Sequence, residues 1–185
     1  MNIRALLLTL CLLLGACHSS NQSVTRSEQD GTGVMNFFDR THGVRMTYPA
    51  SWESHDILKP HDALVMLTFG DSAAGLPQTF SMIAQDLSKQ PDTTLQTLEQ
   101  RLTSRLPGQF DNFRLLERAD ATVGGEPARR IVFTGRKLGN NLQVLNVIAL
   151  HANHGYSITY MADPKDFENG LPSAQKVIDS IQFSP

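Results

Sequence analysis

The apolar run Ala63–Phe69 ends on Gly70-Asp71-Ser72. A serine at the end of a strand can present its hydroxyl to a histidine base, which is the start of nucleophilic catalysis. The chain has one Asp-x-x-His spacing, Asp39-Arg-Thr-His42, and it lies upstream of that serine. His151-Ala-Asn-His154 sets two imidazoles three residues apart, and His55, His61 and Asp62 add donors in a loop. On a helix such a pair could share a metal. At the end of a strand the rings need not converge, so His151 and His154 are candidate ligands set against polar turn residues. Zinc would need three or four ligands in fixed geometry. Asp163, Asp166 and Glu168 surround Pro164. Oxygen-rich loops hold Ca²⁺, but acids at a helix start also favour the helix dipole, and that is the preferred reading. Arg129, Arg130, Arg136 and Lys137 put positive charge on one hairpin, with Arg130, Val132 and Arg136 on a shared face. They are candidate partner-docking residues, or contacts to anionic lipid heads, or charges that guard an edge strand.

None of these sets makes a convincing catalyst. Gly70-Asp71-Ser72 resembles the nucleophile block of GDS-type esterases, but those enzymes carry Asp-x-x-His near the C-terminus and a Gly-x-Asn-Asp block, both missing here. They also need a parallel sheet, and this chain offers hairpins. Ser72 fits an exposed turn equally well. Gly124-Gly125 lacks the Lys of a phosphate-binding loop. The expectation is a protein that is not an enzyme and uses no cofactor; a hydrolase centred on Ser72 is the least favoured alternative.

The N-terminus addresses location. Arg4 precedes the apolar run Ala5–Leu14, which is far short of the roughly 20 apolar residues a spanning helix needs. A charged start, a short apolar core and small residues before a cut make a secretion signal, residues 1–16. Leu14-Gly15-Ala16-Cys17 resembles the lipobox of bacterial lipoproteins. That resemblance implies cleavage before Cys17 and acylation of its sulfur. Several acyl chains anchor stably where one does so marginally. His18, rather than Asp, follows the cysteine, which makes the outer membrane the expected address in a Gram-negative envelope. The chain has 2 cysteines; Cys11 would leave with the leader and Cys17 would carry lipid. Thiol catalysis, disulfides and cysteine-held zinc are thereby excluded. With 16 Lys and Arg against 18 Asp and Glu, nucleic acid is not an expected partner.

Residues 17–33 read as lipidated cysteine plus flexible tether, because His18–Gly33 is too polar to bury a core. Residues 34–185 fit one domain. Val34–Phe38 and Val44–Tyr48 make a hairpin, and Pro49 ends its second strand. Thr79–Leu87, Phe113–Val123, Ala128–Lys137, Leu142–His151 and Tyr156–Met161 follow as strands, most of them joined by Gly-bearing turns. Leu142–Leu150 is apolar on both faces, so the sheet needs cover on both sides. Two helices can supply it. One is capped by Asp92, carries Leu95, Leu98, Leu102 and Leu106, and stops at Pro107-Gly108; the other is capped by Ser173 and carries Ala174, Val177, Ile178 and Ile181. The fold class is α+β, an α/β/α sandwich with a central antiparallel sheet.

Gly43-Val-Arg-Met-Thr-Tyr-Pro-Ala-Ser-Trp52, Gly125-Glu-Pro-Ala-Arg-Arg130, Tyr156–Tyr160 and Asp179-Ser-Ile-Gln-Phe183 occur in this order. Together they resemble the PsbP-like superfamily, which includes the DcrB lipoproteins and the Mog family. The resemblance implies the same sandwich and a mostly non-enzymatic role as accessory factor, assembly factor or binder, with Tyr48, Pro49 and Trp52 structural. The expected function is a lipid-anchored envelope protein, facing the periplasm, that binds another protein. The alternative is binding of a small ligand, lipid or metal.

Overall fold

A computed structural model describes residues 25–29, 33–55, 63–70 and 76–184. Residues 1–16, expected to be a secretion signal, and Cys17, His61, Asp62, Asp71 and Ser72 lie outside the described residues. Among the described residues thirteen elements follow one another: β1 Thr25–Gln29, β2 Val34–Asp39, β3 Val44–Pro49, β4 Glu53–Ser54, β5 Ala63–Phe69, β6 Gln78–Asp86, α1 Leu95–Gln109, β7 Asp111–Val123, β8 Glu126–Lys137, β9 Asn140–His151, β10 His154–Ala162, α2 Phe167–Asp179 and β11 Gln182–Phe183. The strands form a large sheet ordered β4-β5-β6-β10-β9-β8-β7 and a small one ordered β1-β2-β3-β11. Every strand pair is antiparallel. This is the α+β sandwich expected, with the β2–β3 hairpin set apart in a second sheet.

Strand β9 explains the layering. Its side chains alternate between faces. Leu145, Val147 and Ala149 enter one core, while Leu142, Val144 and Ile148 enter another. The second core is closed by α1 through Leu98, Leu102 and Leu106. The first is closed by Phe167, Ala174, Val177 and Ile178 of α2 and by Phe37, Val44, Met46 and Tyr48 of the small sheet. One helix alone is too narrow to cover a seven-stranded face, so the small sheet completes that layer.

Four local expectations change. Thr25–Gln29, read as tether, pairs with β2 from Thr25↔Asp39 to Gln29↔Met35; backbone hydrogen bonds to an edge ask nothing of side-chain polarity. Helix α1 is capped by Thr94, whose hydroxyl accepts from the Thr97 amide at 3.1 Å, not by Asp92. It runs through Pro107 to Gln109, because a proline in the last turn forfeits a single ladder bond and Phe110, buried beyond it, donates its amide to Leu106 O at 3.1 Å. Helix α2 begins at Phe167 rather than after Ser173 and contains Pro172. The buried Phe167 ring holds that extra turn down.

Trp52 bridges the layers as its motif implied. It follows β3 in a turn closed by Trp52 N donating to Pro49 O at 3.0 Å. Its ring stacks on Phe69 at 3.8 Å and reaches Phe80 at 6.0 Å. At the far end, Gly124 has φ +59°, and a Cβ there would meet Phe183 Cδ2 at 2.7 Å. Any side chain at 124 would push β11 off the large sheet.

Candidate functional site

The β7–β8 ribbon closes one side of the large sheet. It holds six Lys and Arg and four Asp and Glu between residues 111 and 137. The four cations singled out from the sequence sit on it, but not as one stripe. Neighbours in a strand face opposite ways. Arg129 faces the α1 side, with Nε 3.4 Å from Glu99 Oε2 and a guanidinium nitrogen paired to Asp120. Arg130 faces the α2 side, donating to Glu117 Oε1 at 2.9 Å and to Gln175 Oε1 at 3.2 Å. Arg136 is exposed at the strand end. Lys137 is buried, its Nζ 4.6 Å from the Phe110 ring centroid, a cation–π contact.

Glu99 was missed in the sequence. It lies on α1 beside the leucine stripe, its side chain 1% exposed, held by Arg118 and Arg129. A buried carboxylate persists only where cations meet it. Those cations come from β7 and β8, so nothing in the helix's own sequence reveals the site.

All three exposed large hydrophobic residues among the described residues lie along this edge: Leu115 at 45%, Leu116 at 48% and Leu138 at 52%. Leu115 and Leu116 fall at a register break in β7, between Leu115 and Glu117. Arg114, Glu117 and Arg118 beside them are exposed too, because β7 is the outer strand of the large sheet.

A second cluster gathers at the end of the sandwich that carries the β2–β3 and β9–β10 turns. His42 and His154 pack edge to face at 5.1 Å. His42 Nδ1 lies 3.0 Å from Asp39 Oδ1, and its amide donates to the same oxygen at 2.9 Å. Asp39 is fully buried, and its Oδ2 has no hydrogen-bond partner among the described residues. Tyr156 donates to His42 O at 3.2 Å. His151 and His154 do not converge: the two nitrogens of His151 are taken by Glu126 Oε1 at 2.8 Å and Ser184 O at 3.1 Å. Among the described residues no group of three or more His, Cys, Asp or Glu is placed to hold a metal ion. His55 Nε2 sits 2.6 Å from Thr68 Oγ1, on β5 next to Gly70. The Asp39–His42 pair is at the other end of the sheet. Gln78 faces Phe69 and Asp86 faces His154 on β6, a separation of about 26 Å at roughly 3.3 Å per residue. Around Pro164, Asp163 Oδ1 accepts from the Lys165 amide at 2.9 Å, and Asp166 and Glu168 open α2.

Burial holds the His154 imidazolium below the usual histidine range, helped by the charge of His42 and opposed by Asp86. Such a group is neutral in the folded state while the unfolded chain still takes a proton. Its stabilising effect is therefore complete above pH ~6.5 and is lost as pH falls from there. Burial works to raise the Asp39 carboxyl, but the hydrogen bonds and charge of His42 outweigh it and lower it below 3.8, which adds a loss at still lower pH. The melting temperature should fall between pH 7.5 and 5, and His154→Gln should flatten that fall. An equally steep profile in the variant would refute the assignment.

Inside the α1-side face, Asn146 Nδ2 donates to Ser157 Oγ at 2.8 Å and Thr159 Oγ1 at 2.7 Å, and the buried Oδ1 has no partner among the described residues.

No protein-family profile matches the chain, and no curated protein matches it by sequence. Solved structures do. LpqN of Mycobacterium tuberculosis, involved in cell envelope biogenesis, is 13% identical, with a TM-score of 0.61 over 89% of this chain and 93% of its own. The cyanobacterial PsbP (CyanoP) of Synechocystis is 15% identical, with a TM-score of 0.58 over 92% and 99%. The fold is PsbP-like. A Pseudomonas aeruginosa protein of unknown function, 15% identical, gives a TM-score of 0.58 over 87% and 98%. Among the described residues no helix is long and apolar enough to cross a membrane.

Proposed function

We propose that this chain is a non-catalytic envelope lipoprotein, tethered by acyl chains on Cys17 and facing the periplasm, that docks a protein partner as an accessory or assembly factor. The observation that carries this reading is the β7–β9 edge, where Leu115, Leu116 and Leu138 are exposed among cations and acids. Apolar groups rimmed by charge mark protein-binding surfaces. Both signs of charge are exposed there, so the complementary surface is apolar at its centre and carries mixed charge at its rim. The structural likeness to LpqN agrees with an envelope role. The outer membrane is the expected leaflet, from His18.

Crosslinking in intact envelopes with Cys17 present, followed by pull-down, should recover one partner. The double variant Leu115→Ser, Leu116→Ser should lose it and keep the parent's melting temperature. Recovery of no specific partner, or undiminished recovery by the double variant, would sink the reading. Cys17→Ser should move the chain from the membrane to the soluble fraction; a variant that still sediments with membranes would rule the anchor out.

The competing reading, a small polar ligand on the sheet face, is favoured by the unpartnered Asn146 Oδ1 alone.

A further inference from the structure

Strand β7 is the outer strand of the large sheet, 13 residues long, and among the described residues no strand pairs with its far side. An exposed edge is a template for another strand. The register breaks of β7 fall between Asp111 and Arg114 and between Leu115 and Glu117, so Glu117–Val123 pairs regularly with β8. Bulges that would protect an edge thus cover only the first half. In the regular half, Arg118 is 56% exposed and Asp120 is 85% exposed, one on each side of Ala119. Even positions share a face, so both charges lie on the α1 side.

We propose that β7 pairs antiparallel with β7 of a second copy of this chain, about a two-fold axis at Ala119. The charge order selects both partner and register. Reversed upon itself about Ala119, the sequence sets Arg118 opposite Asp120 twice, Glu117 opposite Ala121, Leu116 opposite Thr122, Leu115 opposite Val123 and Arg114 opposite Gly124. Opposite charges meet and no like charges do. An axis at residue 118 sets Arg118 against itself, and one at 120 sets Asp120 against itself. An axis at 117 sets Glu117 against itself, and one at 116 sets Arg114 against Arg118. Like charges directly opposite destabilise a strand pair, and unlike charges stabilise it. This edge pairing uses backbone groups at the strand's rim, beside Leu115 and Leu116, and the crosslink at residue 119 tests it apart from the partner-docking reading.

At the axis, residue 119 faces its own copy with Cα atoms about 4.5–5.5 Å apart, within disulfide reach. The full-length chain carrying Ala119→Cys should give a reducible dimer under mild oxidation in envelopes. Ser104→Cys, exposed on α1, should not, nor should the parent with Cys11 and Cys17. Independently, Asp120→Lys should weaken self-association of the purified full-length chain by about tenfold in analytical ultracentrifugation, because it creates two like-charge pairs. A thermal melt unchanged from the parent shows that the variant is folded. A parent that stays monomeric, an Ala119→Cys chain that crosslinks no better than Ser104→Cys, or one that crosslinks to a different protein would overturn the proposal.

Discussion

Gly170→Ala should unfold this domain well below the parent's melting temperature, although alanine is normally the better helix residue. Gly170 lies in α2, and a Cβ on it would overlap Gln78 Oε1 and the Tyr160 hydroxyl. The Gln78 amide is the end of a flexible side chain and can swing aside. Tyr160 cannot: its ring is fully buried, with the hydroxyl 2.8 Å from Gln78 Oε1 and 2.9 Å from Phe167 O. The helix must lift instead, loosening Phe167, Ala174 and Val177 from the core. Overpacking of this kind, with a buried hydroxyl losing a partner, costs about 3 kcal/mol. For a domain of this size that is a drop of roughly 6–12 °C. Gly108, near the end of α1, is the control. No atom of the described residues lies within 4 Å of its would-be Cβ, so Gly108→Ala should raise stability by about 0.5–1 kcal/mol through lower backbone entropy in the unfolded chain. Thermal melts of the two variants followed by circular dichroism make the comparison. A Gly170→Ala chain as stable as the parent would show that α2 does not sit on Tyr160 as described.

Trp52→Ala should cost more, about 3–5 kcal/mol. The ring is 7% exposed, lies parallel to Phe69 at 2°, and also leans on Phe80. Phe69 in turn stacks on Tyr160 at 5.9 Å, so the aromatic column runs from the β3–β4 turn to the ring that supports α2. Removing its outermost member leaves a cavity between the small and large sheets. Trp52→Phe should keep part of the stack and lose less. Because Trp52 is the single tryptophan, the parent's emission should shift red in one step on denaturation, and the variants need circular dichroism instead. A loss below about 1 kcal/mol for Trp52→Ala would mean that the two sheets are held together without this ring.

Much of the fold was legible from local pattern. Alternation in residues 142–150 told of a sheet covered twice, since a strand with both faces apolar cannot be left bare. The spacing of Leu98, Leu102 and Leu106 announced the face of α1, and Tyr48-Pro49 with Trp52 marked the strand stop and its aromatic cover. These signals are short-range, set by 2.0- and 3.6-residue periods that any isolated segment carries. Element limits were harder. Pro107 read as a stop and Ser173 as a cap, but Pro107 and Pro172 each forfeit one hydrogen bond inside a helix, and the burial of Phe110 and Phe167 holds those turns in place.

The functional surface divides in the same way. Adjacent Arg129 and Arg130 had to face opposite sides of any strand, so they could never be one stripe. That much alternation alone determines. The exposure of Leu115 and Leu116 depends on β7 taking the outer place in the large sheet, which only assembly of the strands decides. The burial of Glu99 and the meeting of His42 with His154 bring together residues 19 to 112 positions apart along the chain. The chain's own order decides which side chains are available and how each segment curls. Only closing the sandwich decides which of them meet, because those contacts are long-range and each depends on surfaces contributed by several segments at once.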